Sequence, residues 1–472
     1  MKQLFLAGKW TDGAEVQPVI SPFDGHIVAE VHRAGPEHYR QAVDAAVEAA
    51  RELRSLPIHR IATALETMGA FLARQTEEAT RILAGEAGKP IKSGQVEVQR
   101  SLHIVEDGVE ECKRVGGESL PMDRRPWGEG RFALVERFPR GVMAGITPFN
   151  FPLHLVAHKI VPALASRNAI IIKPASQTPL SALMWARAFA ETDLPPGTLS
   201  ILPGSPQAAT VMVEDNRVAG LSFTGSPEVG WELKARAARK HVSLELGGNA
   251  AAIVHSDADQ EAAVQALALG AFALAGQSCI STQRIYLHQD IYDDFTGRFV
   301  AAAEQMTVGD PLDPATDIGP VISENDAQRI EDWIGQAQSQ GAQVLTGNRR
   351  QGNLHWPTVL ANTRPDMKVN CREVFGPVVT LAPYDEFDTA LELVNDSEYG
   401  LQAGVFTRDV GLIHQAYRTL EVGGVMVNAA PTWRIDHMPY GGVKASGEGR
   451  EGVRYAMQAM TEPRLLVINL PE

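Results

Sequence analysis

Residues Gly141 to Leu202 read GVMAGITPFNFPLHLVAHKIVPALASRNAIIIKPASQTPLSALMWARAFAETDLPPGTLSIL, and their rhythm decides the fold class. Short apolar runs, Gly141 to Ile146, Ala169 to Ile172 and Thr198 to Leu202, alternate with longer segments, Leu155 to Arg167 and Pro179 to Glu191, that read as amphipathic helices. Strand, helix, strand at this spacing specifies an α/β protein with a parallel sheet and right-handed crossovers. Upstream, Tyr39, Ala42, Val43, Ala46, Val47 and Ala50 recur at helical spacing and predict a helix lying on that sheet. The turn-rich stretch Pro121 to Gly130 interrupts the pattern before Phe132 to Arg137 resumes as a strand, which predicts a hairpin projecting from the first domain. Downstream, after Gly247 and Gly248, the pattern restarts: Ala250 to Val254 reads as a strand, followed by a long helix and a strand at Arg284 to His288. A second domain is expected to begin there.

A chain of 472 residues exceeds what one hydrophobic core usually organises, so two sizeable domains with an active site in the cleft between them are expected. Its composition, 44% hydrophobic and 21% charged, is that of a globular protein. A formal net charge of -14 argues against a nucleic-acid partner, because neutralising phosphates needs a basic face. Cys112, Cys279 and Cys371 are an odd number without metal-ligand spacing. That speaks against a disulfide scaffold or a metal site, and for a reducing, cytoplasmic setting. Met1 to Trp10 is too short an apolar stretch for a signal peptide. Ala266 to Gly276, the most membrane-like segment, is too short to span a bilayer and reads as a buried helix. No membrane partner is expected.

Three residues stand out as candidates for chemistry. Cys279, in Gly276-Gln-Ser-Cys279, follows a glycine and polar residues that break the apolar helix near Leu274, which puts the sulfur at an element end where backbone amides can approach. Taken alone it could equally be a small buried hydrophobe. Glu245, in Leu244-Glu-Leu-Gly-Gly-Asn249, sits between two leucines; partial desolvation raises such a carboxylate toward the pKa of a useful general base, the plain alternative being a capping or ion-paired acid. Asn150 lies just past a predicted strand, at the end of an α/β sheet where ligands bind, and is either a turn residue or a fixed amide donor for an oxyanion.

With these residues in hand the chain resembles the aldehyde dehydrogenase superfamily over nearly its whole length. Leu244-Glu-Leu-Gly-Gly-Asn249 and Gly276-Gln-Ser-Cys279 look like its two signature segments, in order. Pro148-Phe-Asn-Phe-Pro152, Lys173-Pro174, Phe223-Thr-Gly-Ser-Pro-Glu-Val-Gly230, Glu373-Val-Phe-Gly-Pro377 and Pro439-Tyr-Gly-Gly-Val-Lys-Ala-Ser-Gly447 match further. The resemblance implies a Rossmann-like dinucleotide-binding domain over 1–120 and 140–247, a catalytic domain over 248–445, and a bridging element over 121–139 and 460–472. It implies Cys279 as nucleophile, Glu245 as general base, and Asn150 with the Cys279 amide as oxyanion hole. A thioester forms on the cysteine and water hydrolyses it, with NADP or NAD as oxidant. Val422 to Asn428 and the Leu465 to Leu470 strand imply a homodimer or a dimer of dimers. A relative that transfers the acyl group to coenzyme A generally lacks the hydrolytic glutamate. A non-catalytic scaffold or an alcohol dehydrogenase would need neither Cys279 nor Glu245.

A literal G-x-G-x-x-G occurs as Gly447 to Gly452, but without a strand–turn–helix context it carries no dinucleotide reading. Thr224, Gly225 and Ser226 are the better phosphate site, because they end a strand-like run, Ala219 to Phe223, and open a helix whose N-terminal amides can face a pyrophosphate. By resemblance, Thr147, Pro148, Lys173, Gly204, Leu246, Glu373 and Phe375 also line the cofactor. Three residues after Lys173, where NAD-preferring members commonly carry a glutamate, this chain has Ser176. A hydroxyl can donate to a 2′-phosphate that a carboxylate would repel, so NADP is expected at least as readily as NAD. Arg434 and His437 fall where family members line the substrate tunnel, and an inward Arg434 favours a small anionic aldehyde. The branch that this resembles acts on lactaldehyde, succinate semialdehyde and glyceraldehyde 3-phosphate.

Overall fold

The structure, a computed structural model, describes residues 1–469. Leu470, expected to end the last strand, and residues 471–472 of the 460–472 segment lie outside the described residues. Two sheets carry the molecule. The first has eight strands in the order Lys9–Thr11, Leu4–Leu6, Leu199–Ile201, Ala169–Lys173, Val142–Ile146, Val218–Thr224, His241–Glu245 and Gly447–Glu448. The five from Leu199–Ile201 to His241–Glu245 run parallel, as the alternation in the sequence predicts. The strand order reverses between Val142–Ile146 and Val218–Thr224, and the crevice outside the carboxyl ends of strands at such a switch point is where α/β sheets bind ligands.

The helices that cross this sheet are not the amphipathic ones expected. All twelve residues of His154–Ala165 are buried, and so are all but Arg187 in Pro179–Phe189. The sheet lies on one side of them while the Ile58–Arg74 and Ile91–Arg114 helices cover the other, so neither keeps a solvent face. The Tyr39 stripe does lie on the sheet: Pro36–Leu53 buries Tyr39, Ala42, Val43 and Ala46.

The second sheet has seven strands, Gln343–Thr346, Thr358–Ala361, Val378–Tyr384, Thr282–His288, Ala250–Val254, Gln402–Phe406 and Gly424–Val427, parallel except for the first. The chain passes from the first sheet to the second in the four residues between Glu245 and Ala250. The expected continuous helix over Ala266 to Gly276 is divided: an α-helix, Gln260–Phe272, gives way to a 3-10 turn, Ala273–Gly276. Beyond both sheets, Arg131–Pro139 pairs antiparallel with Glu118–Leu120 on one side and Thr461–Asn469 on the other, with two short 3-10 turns forming the hairpin tip. Among the described residues no helix is long and apolar enough to cross a membrane.

Candidate active site

Glu245 ends a strand of the first sheet, and Cys279 lies three residues before Thr282–His288 of the second, so the cleft joins the carboxyl edge of one sheet to the amino edge of the other. Its tightest point explains the paired glycines. A Cβ at Gly248 would lie 2.1 Å from the Cys279 carbonyl oxygen, and one at Gly247 would lie 2.3 Å from Glu373 Oε2. Only bare backbone lets the crossing strand, the cysteine turn and the Glu373 carboxylate meet. Glu373 Oε1 accepts the Gly248 N–H at 2.8 Å, and burial pushes its pKa up to about 8. The turn before the cysteine is strained: Leu274 and Ala275 take φ of 55° and 54°, a conformation costing a non-glycine residue about 1 kcal/mol or more. Such strain persists only where surrounding packing fixes it, and it carries Gln277 and Cys279 to the cleft.

Asn150 is buried, and its Nδ2 donates to the Gln277 carbonyl at 3.0 Å. One amide proton is thereby used and the other is left for a ligand. The Cys279 N–H donates to no backbone carbonyl among the described residues. Loop 149–153 is braced from below: Glu97 Oε1 accepts the N–H groups of Leu153 and His154 at 3.0 and 3.1 Å while its other oxygen pairs with buried Lys89.

Cys279 is half-buried, and its sulfur lies 2.9 Å from the Tyr440 hydroxyl. Burial pushes the thiol up to about 12, with the Tyr440 hydrogen bond and Arg434 opposing. Glu245 is 4% exposed, and among the described residues neither carboxylate oxygen has a hydrogen-bond partner. Burial, then repulsion from Glu451, raises it well above the usual carboxylate range. Glu451, in contrast, is held below that range despite burial by His158, Lys159 and Arg434. Glu451 is thus the fixed anion, while Glu245, whose raised pKa makes its carboxylate form the stronger base, is the one that can change protonation state.

Arg434 turns inward, as the hub of an ionic cluster rather than as a free receptor. Its Nη2 donates to His158 Nε2 at 2.9 Å and to Glu451 at 3.3 Å, its Nε lies 3.6 Å from Asp436, and its guanidinium carbon stacks 3.7 Å from the Tyr440 ring centroid. Arg100 grips Asp436 through two nitrogens, at 2.6 and 3.1 Å, and His154 donates to the same carboxylate at 3.1 Å. His154, His158 and Asp436 would otherwise read as a metal-ligand set, but the two guanidinium groups stand where a cation would, and Arg434 occupies the His158 lone pair. His437 is exposed, and the charge it acts on is Asp107.

Along the first sheet's crevice, Thr147 Oγ1 is buried without a partner among the described residues. Thr224 Oγ1 accepts from Lys159 Nζ at 2.8 Å, and Gly225 donates to the Glu245 carbonyl. Ser226 caps the Pro227–Arg236 helix. Leu246 packs against Gly230, Gly204 lies against Tyr39 and Ala34, and the Phe375 ring meets Phe149 edge-on at 5.8 Å. Pro148 is half-buried beside Thr147. Lys173 Nζ reaches only the Pro174 carbonyl at 3.2 Å, and burial, then the nearby Arg33 charge, lowers it to about 8. Arg33 Nη2 donates to exposed Ser176 Oγ at 3.4 Å, and its Nε is buried without a partner.

A thiol, a poised carboxyl and a free amide donor beside a dinucleotide-type crevice agree with the comparison that decides the family: the profile described as "Aldehyde dehydrogenase family" matches residues 10–466. This chain belongs to the aldehyde dehydrogenase family. It is therefore an enzyme, an NAD(P)-dependent oxidoreductase of α/β architecture. Among aldehyde dehydrogenases it is 43% identical over 468 residues to the 3-sulfolactaldehyde dehydrogenase of Priestia aryabhattai, covering 99% of this chain and 98% of that one. The crystal structure of aldehyde dehydrogenase 21 from Physcomitrella patens, in complex with the reaction product succinate, superposes with a TM-score of 0.97 at 40% identity, over 99% of this chain and 98% of that one. The NADP-dependent glyceraldehyde-3-phosphate dehydrogenase from Bacillus halodurans C-125, complexed with NADP, also gives 0.97, at 34% identity over 100% and 99% of the chains.

Sequence reasoning on this aldehyde dehydrogenase passed over Tyr440, Lys159, Glu451 and Arg33. Lys159 carried a signal, the one lysine in a helix otherwise made of apolar residues and two histidines, whose charge must have a buried partner. Tyr440 lies in the Pro439 to Gly447 motif, which assigns it no role. Arg33 gave no signal, since only folding brings it to Ser176.

Proposed function

We propose that this enzyme oxidises a small anionic aldehyde to its carboxylate with NADP, through a thioester on Cys279. The observation that carries the reading is the convergence of Cys279, Asn150 and the unpartnered Glu245 carboxyl on one cleft. The Cys279 thiolate adds to the carbonyl carbon. The second Asn150 amide proton and the Cys279 N–H receive the oxyanion that drives hydride out, an arrangement worth about 3 kcal/mol per donor. Water then attacks the thioester while Glu245, in its carboxylate form, takes its proton, which favours free acid over transfer to coenzyme A.

The residues fit a bound dinucleotide. Buried Thr147 Oγ1 lacks a partner, the Ser226-capped helix offers N-terminal amides, and Glu373 and Phe375 border the cysteine turn. Bound NADP supplies the acceptor for the hydride. Arg33, Lys173 and Ser176 would hold its 2′-phosphate, which sets NADP above NAD. The substrate's anion is met in the field of the Arg434 cluster, with partly exposed Arg100 as its reachable cation. The relative named for 3-sulfolactaldehyde and the solved relative in complex with the reaction product succinate support that class. His437 lines the approach at most. We assign cofactor binding to 1–120 and 140–247, catalysis to 248–445, and bridging to 121–139 and 460–472.

Assembly as a homodimer or tetramer is supported by the edge strand Thr461–Asn469, whose Leu465, Leu466, Val467 and Ile468 are each more than 40% exposed. The unpaired Cys112, Cys279 and Cys371 suit a cytoplasmic setting. The reading is tested by NADP reduction over a panel of small anionic and neutral aldehydes. We expect free acid without coenzyme A, and a loss of roughly 10⁴-fold or more in Cys279→Ala. An alanine variant that turns over unchanged overturns it.

A further inference from the structure

We propose that the Tyr440 hydroxyl is a second catalytic group on the sulfur: it donates a hydrogen bond to the Cys279 thiolate, both as nucleophile and as leaving group. This rests on the reading of Cys279 as nucleophile. Tyr440 Oη lies 2.9 Å from Sγ, and the ring is 3% exposed. Its backbone is pinned by reciprocal hydrogen bonds with Glu451, Tyr440 N–H to the Glu451 carbonyl and Glu451 N–H to the Tyr440 carbonyl, so the hydroxyl is aimed rather than free. Ile280 and Leu401 pack with Tyr440 and Cys279 in a small apolar cluster. A phenylalanine would fill that space equally well. A buried hydroxyl is tolerated only with a partner, and among the described residues its partner is the sulfur.

Direction follows from proton count. While sulfur holds its proton either atom can donate; once the proton is gone sulfur has only lone pairs, and the phenol is the donor. Arg434, stacked on the ring face, draws electron density from the phenol and makes it a better donor. The charged groups facing the pair are Arg434 from the 431–440 loop, Glu245 from the first sheet and Glu373 from the segment after Lys368–Cys371. The carboxyls oppose a thiolate, so the hydroxyl and Arg434 are what favour it. In thioester hydrolysis the water oxygen bonds to the acyl carbon, the carbon–sulfur bond breaks, and its electron pair returns to sulfur. The water proton goes to Glu245, and Tyr440 keeps its own while bonding to the restored thiolate.

The test is the pH profile of iodoacetamide alkylation at Cys279, followed by peptide mass, in the full chain, in Tyr440→Phe, and in protein carrying a ring-fluorinated tyrosine at 440. Tyr440→Phe should move the profile up by about one pH unit, slowing alkylation roughly tenfold at a fixed pH below the inflection. The fluorinated phenol, a stronger donor, should move it down. A profile in Tyr440→Phe that is unchanged or shifted down overturns the proposal. If that variant does not fold, the fluorinated protein decides, and an unchanged or raised profile there overturns it. Failure of the nucleophile reading looks different: complete alkylation of Cys279 would leave turnover intact.

Discussion

Two arginines, Arg434 and Arg33, each sit beside a buried lysine at the rim of the same sheet, and the molecule treats them oppositely. Around Arg434 every cation has an anion: Arg434 has Glu451 at 3.3 Å, Lys159 has Glu451 at 3.7 Å, and Arg100 has Asp436 at 2.6 Å. Around Arg33 the nearest carboxylate is exposed Glu15 at 3.5 Å, and Lys173 has no carboxylate among the described residues. A balanced buried cluster chiefly fixes geometry, and only its partly exposed Arg100 is within reach of an incoming anion. An unbalanced one stores repulsion that an incoming anion relieves. Location alone, which is what a motif conveys, does not separate the two.

The sharpest way to break this contrast is Arg434→Leu. It strands Glu451 and Asp436 without their shared partner, and we expect a loss of about 3–5 kcal/mol in chemical denaturation; a change below about 1 kcal/mol would mean that the cluster is not the scaffold argued here. Next comes Arg33→Leu, which should leave NAD binding intact and weaken NADP roughly 10- to 100-fold in calorimetric titration. Its pH dependence has a definite sign. Lys173 is an ammonium below about 8 and a neutral amine above, so NADP affinity falls as pH rises through that value. Removing Arg33, which depresses Lys173, shifts the fall to higher pH. The smallest effect is Glu15→Gln, which frees Arg33 of an exposed partner and should tighten NADP by about twofold, with tightening of NAD by the same factor counting against the contrast.

The parallel sheet was legible from Gly141 to Leu202 because crossover helices and strands alternate within that stretch. The polarity of those helices was not, since whether His154–Ala165 has a wet face depends on Ile91–Arg114 covering it from elsewhere in the chain. The antiparallel edges were equally hidden: Leu4–Leu6 and Gly447–Glu448 come from opposite ends of the chain. At the site, Cys279 and Glu245 could be picked out because glycine-bounded segments leave a local signature, and Asn150 because it lies just past a predicted strand. Tyr440 could not be assigned, because its partner lies 161 residues away and the contact exists only when both sheets are assembled.

The passage Leu246–Asn249 starts at the poised carboxyl and ends against the carbonyl of Cys279. The pivot between the two sheets therefore coincides with the candidate active site. A hinge motion that widened the crevice by swinging one sheet from the other would also pull the Glu245 carboxyl and the Cys279 sulfur apart.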